Sequence, residues 1–222
     1  MTKATAAAAA AARHDADPRV LRSQAIILTA ATTHFTVHGY MGANVDVIAA
    51  EAGVSKRTVY NVFGGKEQLF RAVTDNAVTI AENFSRDLAD ELTAGDDLPT
   101  DLERIGVRLA TAVLDGPVVP LRRLLIGESR RFPELVSDYY KRAPDRVMRT
   151  LADHLAGLSG RGLLDLDDSR TAAEHFAFLV MGAPLDRALF HIDSTPSRSE
   201  IEANARVGVA AFLRAWGRAP RG

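Results

Sequence analysis

The sequence predicts an all-α protein: a small N-terminal helix-turn-helix domain of three helices, followed by a larger helical domain. Three observations carry that prediction. From residue 19 onward, apolar residues recur at spacings of three and four between Gly and Pro breaks. No run alternates strictly between apolar and polar, so no sheet is expected. Two short helical segments also flank Gly53, at about 45–52 and 55–62, the arrangement of a tight helical hairpin.

Residues 1–18 are Ala-rich, then polar, and end in Asp17-Pro18, which predicts a mobile tail. An arm reaching out through Arg13 is the alternative reading of that tail. The first helix carries Ile26, Ile27, Ala30, Phe35 and Val37 and stops at Gly39. After the hairpin, Gly64-Gly65 separates it from a long helix running from Lys66 towards Leu92. Ala94 to Pro99 has the chemistry of a loop. Helices then follow over 100–114, 118–131, 134–157 (kinked or broken near Pro144), 169–190 and 197–217. Pro184 is expected to kink the helix over 169–190. This divides the chain into a tail (1–18), a helix-turn-helix domain (19–66) and a larger helical domain (67–222).

Composition limits what these domains can do. The formal net charge of −1 offers little general attraction to polyanions, so any nucleic-acid contact has to come from local charge placement. The absence of cysteine excludes disulfides, thiolate metal sites and cysteine nucleophiles. No apolar run reaches the about 20 residues that span a bilayer. Ala6 to Ala12, behind a single Lys3, lacks the Leu-rich centre of an export signal. A cytoplasmic location and no membrane partner are expected. His34 and His38 sit one helical turn apart, but no third ligand is evident, and packing or surface roles fit them better. Asp96-Asp97 and the run Asp165 to Asp168 read as turns and a helix cap, and no glycine-rich phosphate loop is present. No catalytic residue, metal or cofactor is expected.

The chemistry concentrates between Val45 and Phe63. Ile48 and Ala52 face inward from the first short helix, and Ala49 is small enough for close approach. Gly53 supplies the left-handed backbone that the turn requires. Ser55 is placed to cap the next helix, a contribution of about 1 kcal/mol. Val59 and Val62 return that helix to the core, so Lys56, Arg57, Tyr60 and Asn61 project outward with Thr58 beside them. From Ala52 to Lys66 the charged residues are Lys56, Arg57 and Lys66, with no acid among them. Lys or Arg can donate to guanine O6 and N7, and Asn can pair with an adenine edge, so this face suits the major groove of duplex DNA. A helical adaptor that binds only proteins could carry the same hairpin.

Gly39-Tyr40 and the pattern Val45-x-x-Ile48-Ala49-x-x-Ala52-Gly53-Val54-Ser55-x-x-Thr58-Val59-Tyr60-x-x-Phe63-x-x-Lys66-Glu67-x-Leu69 closely resemble the DNA-binding domain of the TetR family over residues 20–70. The resemblance implies that the third helix reads DNA, that Tyr60 contacts phosphate, and that Lys66 opens the fourth helix near the DNA backbone. Where members carry paired Thr/Ser residues this chain has Ala43-Asn44, which shifts the expected cap and phosphate contact to Asn44. Helix N-termini near Asn44 and Lys66 are then expected to straddle one DNA strand, with Arg19 and Arg22 adding nonspecific contacts. The stretch Leu121-Arg122-Arg123-Leu124 to Glu128, with Arg131-Phe132-Pro133-Glu134-Leu135, looks like the C-terminal type of AefR-like members.

The resemblance further implies a homodimer on a palindromic operator of double-stranded DNA and a small-molecule effector whose identity the sequence leaves open. Repression is the default and activation the alternative. The last two helices are the implied dimer elements. Their stripes are Phe176, Leu179, Ala183 and Phe190 on one, and Ile201, Ala205, Gly208, Phe212 and Trp216 on the other. Packing against the chain's own core is the alternative for both stripes. Expected to line a ligand cavity are Phe84, Leu88, Phe132, Tyr139, Tyr140, His154, His175, Phe178 and Met181. Arg122, Arg123, Arg130 and Arg131 could receive an acidic effector or form a solvated face.

Overall fold

The computed structural model describes residues 18–91, 97–191 and 195–218. The Ala-rich tail with Arg13, the side chain of Arg19 and most of the loop after Leu92 lie outside the described residues. The elements, in chain order, are α1 (Pro18–Gly42), α2 (Val45–Glu51), α3 (Lys56–Phe63), α4 (Lys66–Glu91) and α5 (Leu98–Leu114), then α6 (Val118–Glu128), α7 (Pro133–Arg142), α8 (Pro144–Gly160), α9 (Ser169–Phe190) and α10 (Arg198–Trp216). No strand forms among the described residues. A single antiparallel bridge between Leu164 and Gly217 ties the α8–α9 connection to the end of α10.

The chain forms two compact units that meet in sequence at Thr74 and Asp75. The expected boundary at 66 falls short because Leu69, Phe70 and Val73 of α4 are fully or almost fully buried. Their partners include Phe35 and Tyr40 of α1, whose ring centroids each lie 5.2 Å from that of Phe70. Ile27, Ile48 and Val59 complete this small core, one from each of α1, α2 and α3. Gly39, with φ of 67°, ends the regular part of α1 and leaves a short turn up to Gly42.

In the second unit the core is built chiefly from α5, α8, α9 and α10. Phe176 and Phe212 meet edge to face at 5.2 Å inside it. At Gly208 the backbones of α9 and α10 come so close that an added Cβ would lie 2.3 Å from the carbonyl oxygen of Leu179. One turn before it, the Asn204 side-chain amide donates to the carbonyl of Val180 at 2.8 Å, satisfying a donor and an acceptor at the same crossing.

Helix ends follow local chemistry. Ser197 and Glu200 form a reciprocal capping box at the start of α10, and Asp168 caps α9 by accepting from the amides of Arg170 and Thr171. The expected break near Pro144 is present: Ala143 leaves helical geometry, as a residue before proline tends to do. A turn over 129–132 ends α6 earlier than expected, and Pro133 then opens α7. Helix α9 continues through the buried Pro184 to Phe190.

Candidate nucleic-acid interface and regulatory core

Each joint of the α2–α3 hairpin is fixed by one residue. Asn44 stands in extended conformation and its side chain accepts from the amide of Asp46 at 2.8 Å, so it is the N-cap of α2. Gly53 has φ of 65° with open space around it, which turns the chain without a side-chain penalty. Ser55 caps α3 by accepting from the Thr58 amide at 3.0 Å, and the two hydroxyls lie 2.8 Å apart. Gly64, left-handed with φ of 84°, closes α3 at its other end. With Val59 wholly buried, helical geometry sends Arg57, Tyr60 and Asn61 to the exposed side, and Tyr60 is 44% accessible. Among the described residues the side chains of these three make no intramolecular hydrogen bond or ion pair.

Two of the expected cations are differently engaged. Lys56 Nζ lies 2.9 Å and 3.0 Å from the two carboxylate oxygens of Asp46, joining the first turns of α2 and α3. The hydrogen bond to Asp46, and then its charge, raise the Lys56 pKa above the ordinary lysine value. Lys66 donates to the carbonyl of Met41 at 3.1 Å, and its ammonium sits 5.0 Å from the centroid of the Tyr40 ring. It therefore braces the start of α4 against the end of α1. The start of α2 likewise already holds the Asn44 cap and the Asp46 carboxylate, which works against the expectation of a phosphate seat there. Asp46 is the residue that sequence reasoning overlooked: its partner stands ten positions away, across a turn whose geometry only the fold sets. His34 is buried, with Nδ1 3.8 Å from Glu51 and its ring 4.4 Å from that of His38, a packing arrangement.

The expected ligand residues separate by burial. Leu88, Phe132, Tyr139 and Met181 are buried, Phe84 packs against the core, and His154 is half-buried. Tyr140, His175 and Phe178 are corrected: all three are exposed, so they line no interior space in this chain. The buried group includes several polar anchors. Burial raises the pKa of Tyr139, against the opposing charge and hydrogen bond of Arg122. Burial also lowers the His154 pKa, so its imidazole is neutral at pH 7. His154 Nε2, Thr111 Oγ1, Arg122 Nε and Arg123 Nη1 are buried without a hydrogen-bond partner. Arg108, which sequence reasoning did not single out, stacks its guanidinium 5.3 Å from the Phe84 ring.

Part of the expected dimer stripes is corrected in the same way. Phe176, Ile201, Ala205, Gly208 and Phe212 are buried in the chain's own core. Trp216 is partly buried and stacks 4.8 Å from Phe212. Leu179, Ala183 and Phe190 remain exposed, joined by Phe178 on α9 and Val207 on α10. Phe178 (70%), Phe190 (78%) and Val207 (69%) are too accessible for any role in the core.

Residues 27–73 match the family model described as bacterial regulatory proteins of the tetR family. Residues 100–218 match that of the AefR-like transcriptional repressor C-terminal domain. Among solved structures, a TetR-family transcriptional regulator from Mesorhizobium loti MAFF303099 superposes with a TM-score of 0.81 at 30% identity, covering 91% of this chain and 100% of that one. The flavonoid-responsive regulator FrrA gives a TM-score of 0.64 at 27% identity, covering 90% of this chain and 99% of that one. The HTH-type transcriptional repressor SCO4008 of Streptomyces coelicolor is 39% identical over 59 residues, 27% of this chain and 30% of that protein. Matches to the curated relatives thus span less than half the length of each. The three proteins named above are described as regulators of transcription or as a ligand-responsive regulator, and no described helix is long and apolar enough to cross a membrane. The chain belongs to the TetR family of bacterial transcriptional regulators, with a C-terminal domain of the AefR-like repressor type.

Proposed function

We propose that this protein is a cytoplasmic homodimeric repressor that reads a palindromic DNA site with α3 of each subunit and is released by a small-molecule effector. The observation carrying this reading is the outward face of α3. Arg57, Tyr60 and Asn61 stand exposed and uncommitted on a helix whose two ends are fixed by Ser55 and Gly64. Arg57 and Asn61 suit base edges and Tyr60 suits a phosphate, with Thr58 and the Ser55 cap supporting the first turn. One such helix makes few contacts, and two copies reading half-sites about one helical turn apart give the required selectivity. The match of the C-terminal domain to an AefR-like repressor model, and the description of SCO4008 as a repressor, support repression over activation. Footprinting of genomic fragments with the purified protein is expected to protect inverted repeats with that spacing. Protection of single, unrepeated sites would count against the dimeric reading.

For the dimer we assign the outer face of α9 and α10 carrying Phe178, Leu179, Ala183, Phe190 and Val207. Burying a large apolar side chain contributes roughly 1.5–3 kcal/mol, and two-fold symmetry uses each residue twice. Phe178→Glu combined with Phe190→Glu is therefore expected to give monomers in sedimentation or light scattering, with helicity retained. A dimer that persists at low micromolar concentration would move the interface elsewhere.

We assign the effector to Phe84, Leu88, Phe132, Tyr139, His154 and Met181, an apolar group that includes the buried, unpartnered Nε2 of His154. FrrA, itself described as flavonoid-responsive, supports a small organic effector as the class. Release requires that the effector favour one spacing of the two α3 helices by its differential affinity, with α4 as the element that carries the change.

A further inference from the structure

We propose that Asp46 masks Lys56 on the DNA-reading face, so that the pair docks as a neutral unit and sets how tightly the protein holds DNA. The inference rests on the assignment of α3 as the docking helix. Lys56 is in the first turn of α3 and Asp46 in the first turn of α2, and the ammonium meets both carboxylate oxygens, at 2.9 Å and 3.0 Å. Both side chains are about half exposed, at 54% and 56%, so the pair belongs to the surface that approaches DNA. Whatever α3 docks onto lies within a Debye length of both charges, about 10 Å at 0.1 M salt.

DNA affinity draws on the number of cations that displace counterions, and log K falls with log salt at about −0.9 per neutralised phosphate. A lysine held by its own carboxylate adds nothing to that count. A phosphate that captured it would leave Asp46 bare beside the DNA backbone. The remaining cation of α3, Arg57, has no such counter-charge among the described residues, and Lys66 is committed to the Met41 carbonyl. Asp46 is thus a positioning residue that caps the electrostatic share of binding and leaves selection to Arg57, Tyr60 and Asn61.

The test measures binding of the full-length protein to a mixed-sequence duplex at several low salt concentrations, because this probe needs no knowledge of the operator. Asp46→Asn keeps the side-chain shape and the backbone amide that Asn44 caps. It is expected to tighten binding about threefold per subunit, about tenfold per dimer, and to steepen the salt slope by up to roughly 0.9 per reading head. Lys56→Gln, which leaves the carboxylate uncompensated, is expected to weaken binding by a similar factor. The double variant is expected to return close to wild type in both affinity and slope, the sum of two opposite single effects, whereas a merely structural bridge would weaken binding in Asp46→Asn as well. Thermal melts of all three variants confirm that the fold is intact. Unchanged affinity and slope in Asp46→Asn would overturn the proposal. So would a double variant as weak as Lys56→Gln, since Lys56 would then touch DNA itself. Duplex binding that survives Arg57→Ala with Tyr60→Ala would instead sink the docking face, a failure distinct from that of the pair.

Discussion

Arg57→Ala combined with Tyr60→Ala is expected to abolish selective DNA binding while leaving the protein folded. A bidentate arginine contact to guanine contributes about 1–3 kcal/mol of discrimination, so two copies in a dimer lose roughly 2–6 kcal/mol from Arg57 alone. At about 1.4 kcal/mol per factor of ten, that is a loss on the order of thirtyfold or more before Tyr60 is counted. Stability should barely move. Both side chains are exposed and without intramolecular hydrogen bonds among the described residues, and alanine favours the helix they occupy. Surface changes of this kind usually fall within about 0.5 kcal/mol. Fluorescence anisotropy against operator and scrambled duplexes, beside a thermal melt, separates the two effects. Retention of operator preference by a folded double variant would show that α3 does not read the bases.

The chemistry of that face is local. Gly53, Ser55 and Asn44 could be assigned from sequence because a turn with positive φ, an N-cap and the next N-cap each depend on one residue and its nearest neighbours. The outward direction of Arg57, Tyr60 and Asn61 followed from the inward direction of Val59, since helical geometry leaves no freedom once one face is fixed. Partners were not local, and there the sequence was silent. Lys56 and Lys66 look identical as free cations, yet one faces the Asp46 carboxylate and the other the Met41 carbonyl, contacts that only the folded three-helix packing creates.

The regulatory unit shows the same boundary more sharply. The stripe from Ile201 through Ala205 and Gly208 to Phe212 was legible as a buried face, but periodicity does not say what buries it. It is covered by the chain's own α5 and α9. On α9, Phe176 and Phe178 are two positions and therefore about half a turn apart; one is fully buried and the other 70% exposed. From Phe176 to Leu185 that helix is apolar on every side, so no polar face marked which phenylalanine belonged to the core. The same uniformity suits a helix that is covered inside by its own unit and outside by a second copy.

Gly208→Ala should be among the most damaging single substitutions in the chain, although alanine is the better helix former by about 1 kcal/mol. An added Cβ would lie 2.3 Å from the carbonyl oxygen, 2.6 Å from the carbonyl carbon of Leu179 and 2.8 Å from the Cα of Val180. All three are backbone atoms of α9, so no rotamer change can relieve the contact and the helices must separate. Separation would also stretch the bond from Asn204 to the Val180 carbonyl and loosen the packing of Phe176 on Phe212. Overpacking of this rigidity costs about 3 kcal/mol or more, which outweighs the gain in helix propensity. The net loss of about 2 kcal/mol corresponds, for a chain of this size, to a fall in Tm of roughly 4–8 °C at fixed protein concentration. Gly106→Ala is the matched control, because its new methyl would meet only side-chain atoms, Val209 Cγ2 at 2.9 Å and Val180 Cγ1 at 3.1 Å. Val180 and Val209 are buried and stiff at χ1, so Gly106→Ala should also lose stability, but less than Gly208→Ala, because its contacts are longer and involve side chains instead of backbone. Equal melting temperatures for the two variants would mean that α9 and α10 do not cross backbone to backbone, and that the outer face assigned to the dimer is not held by this crossing.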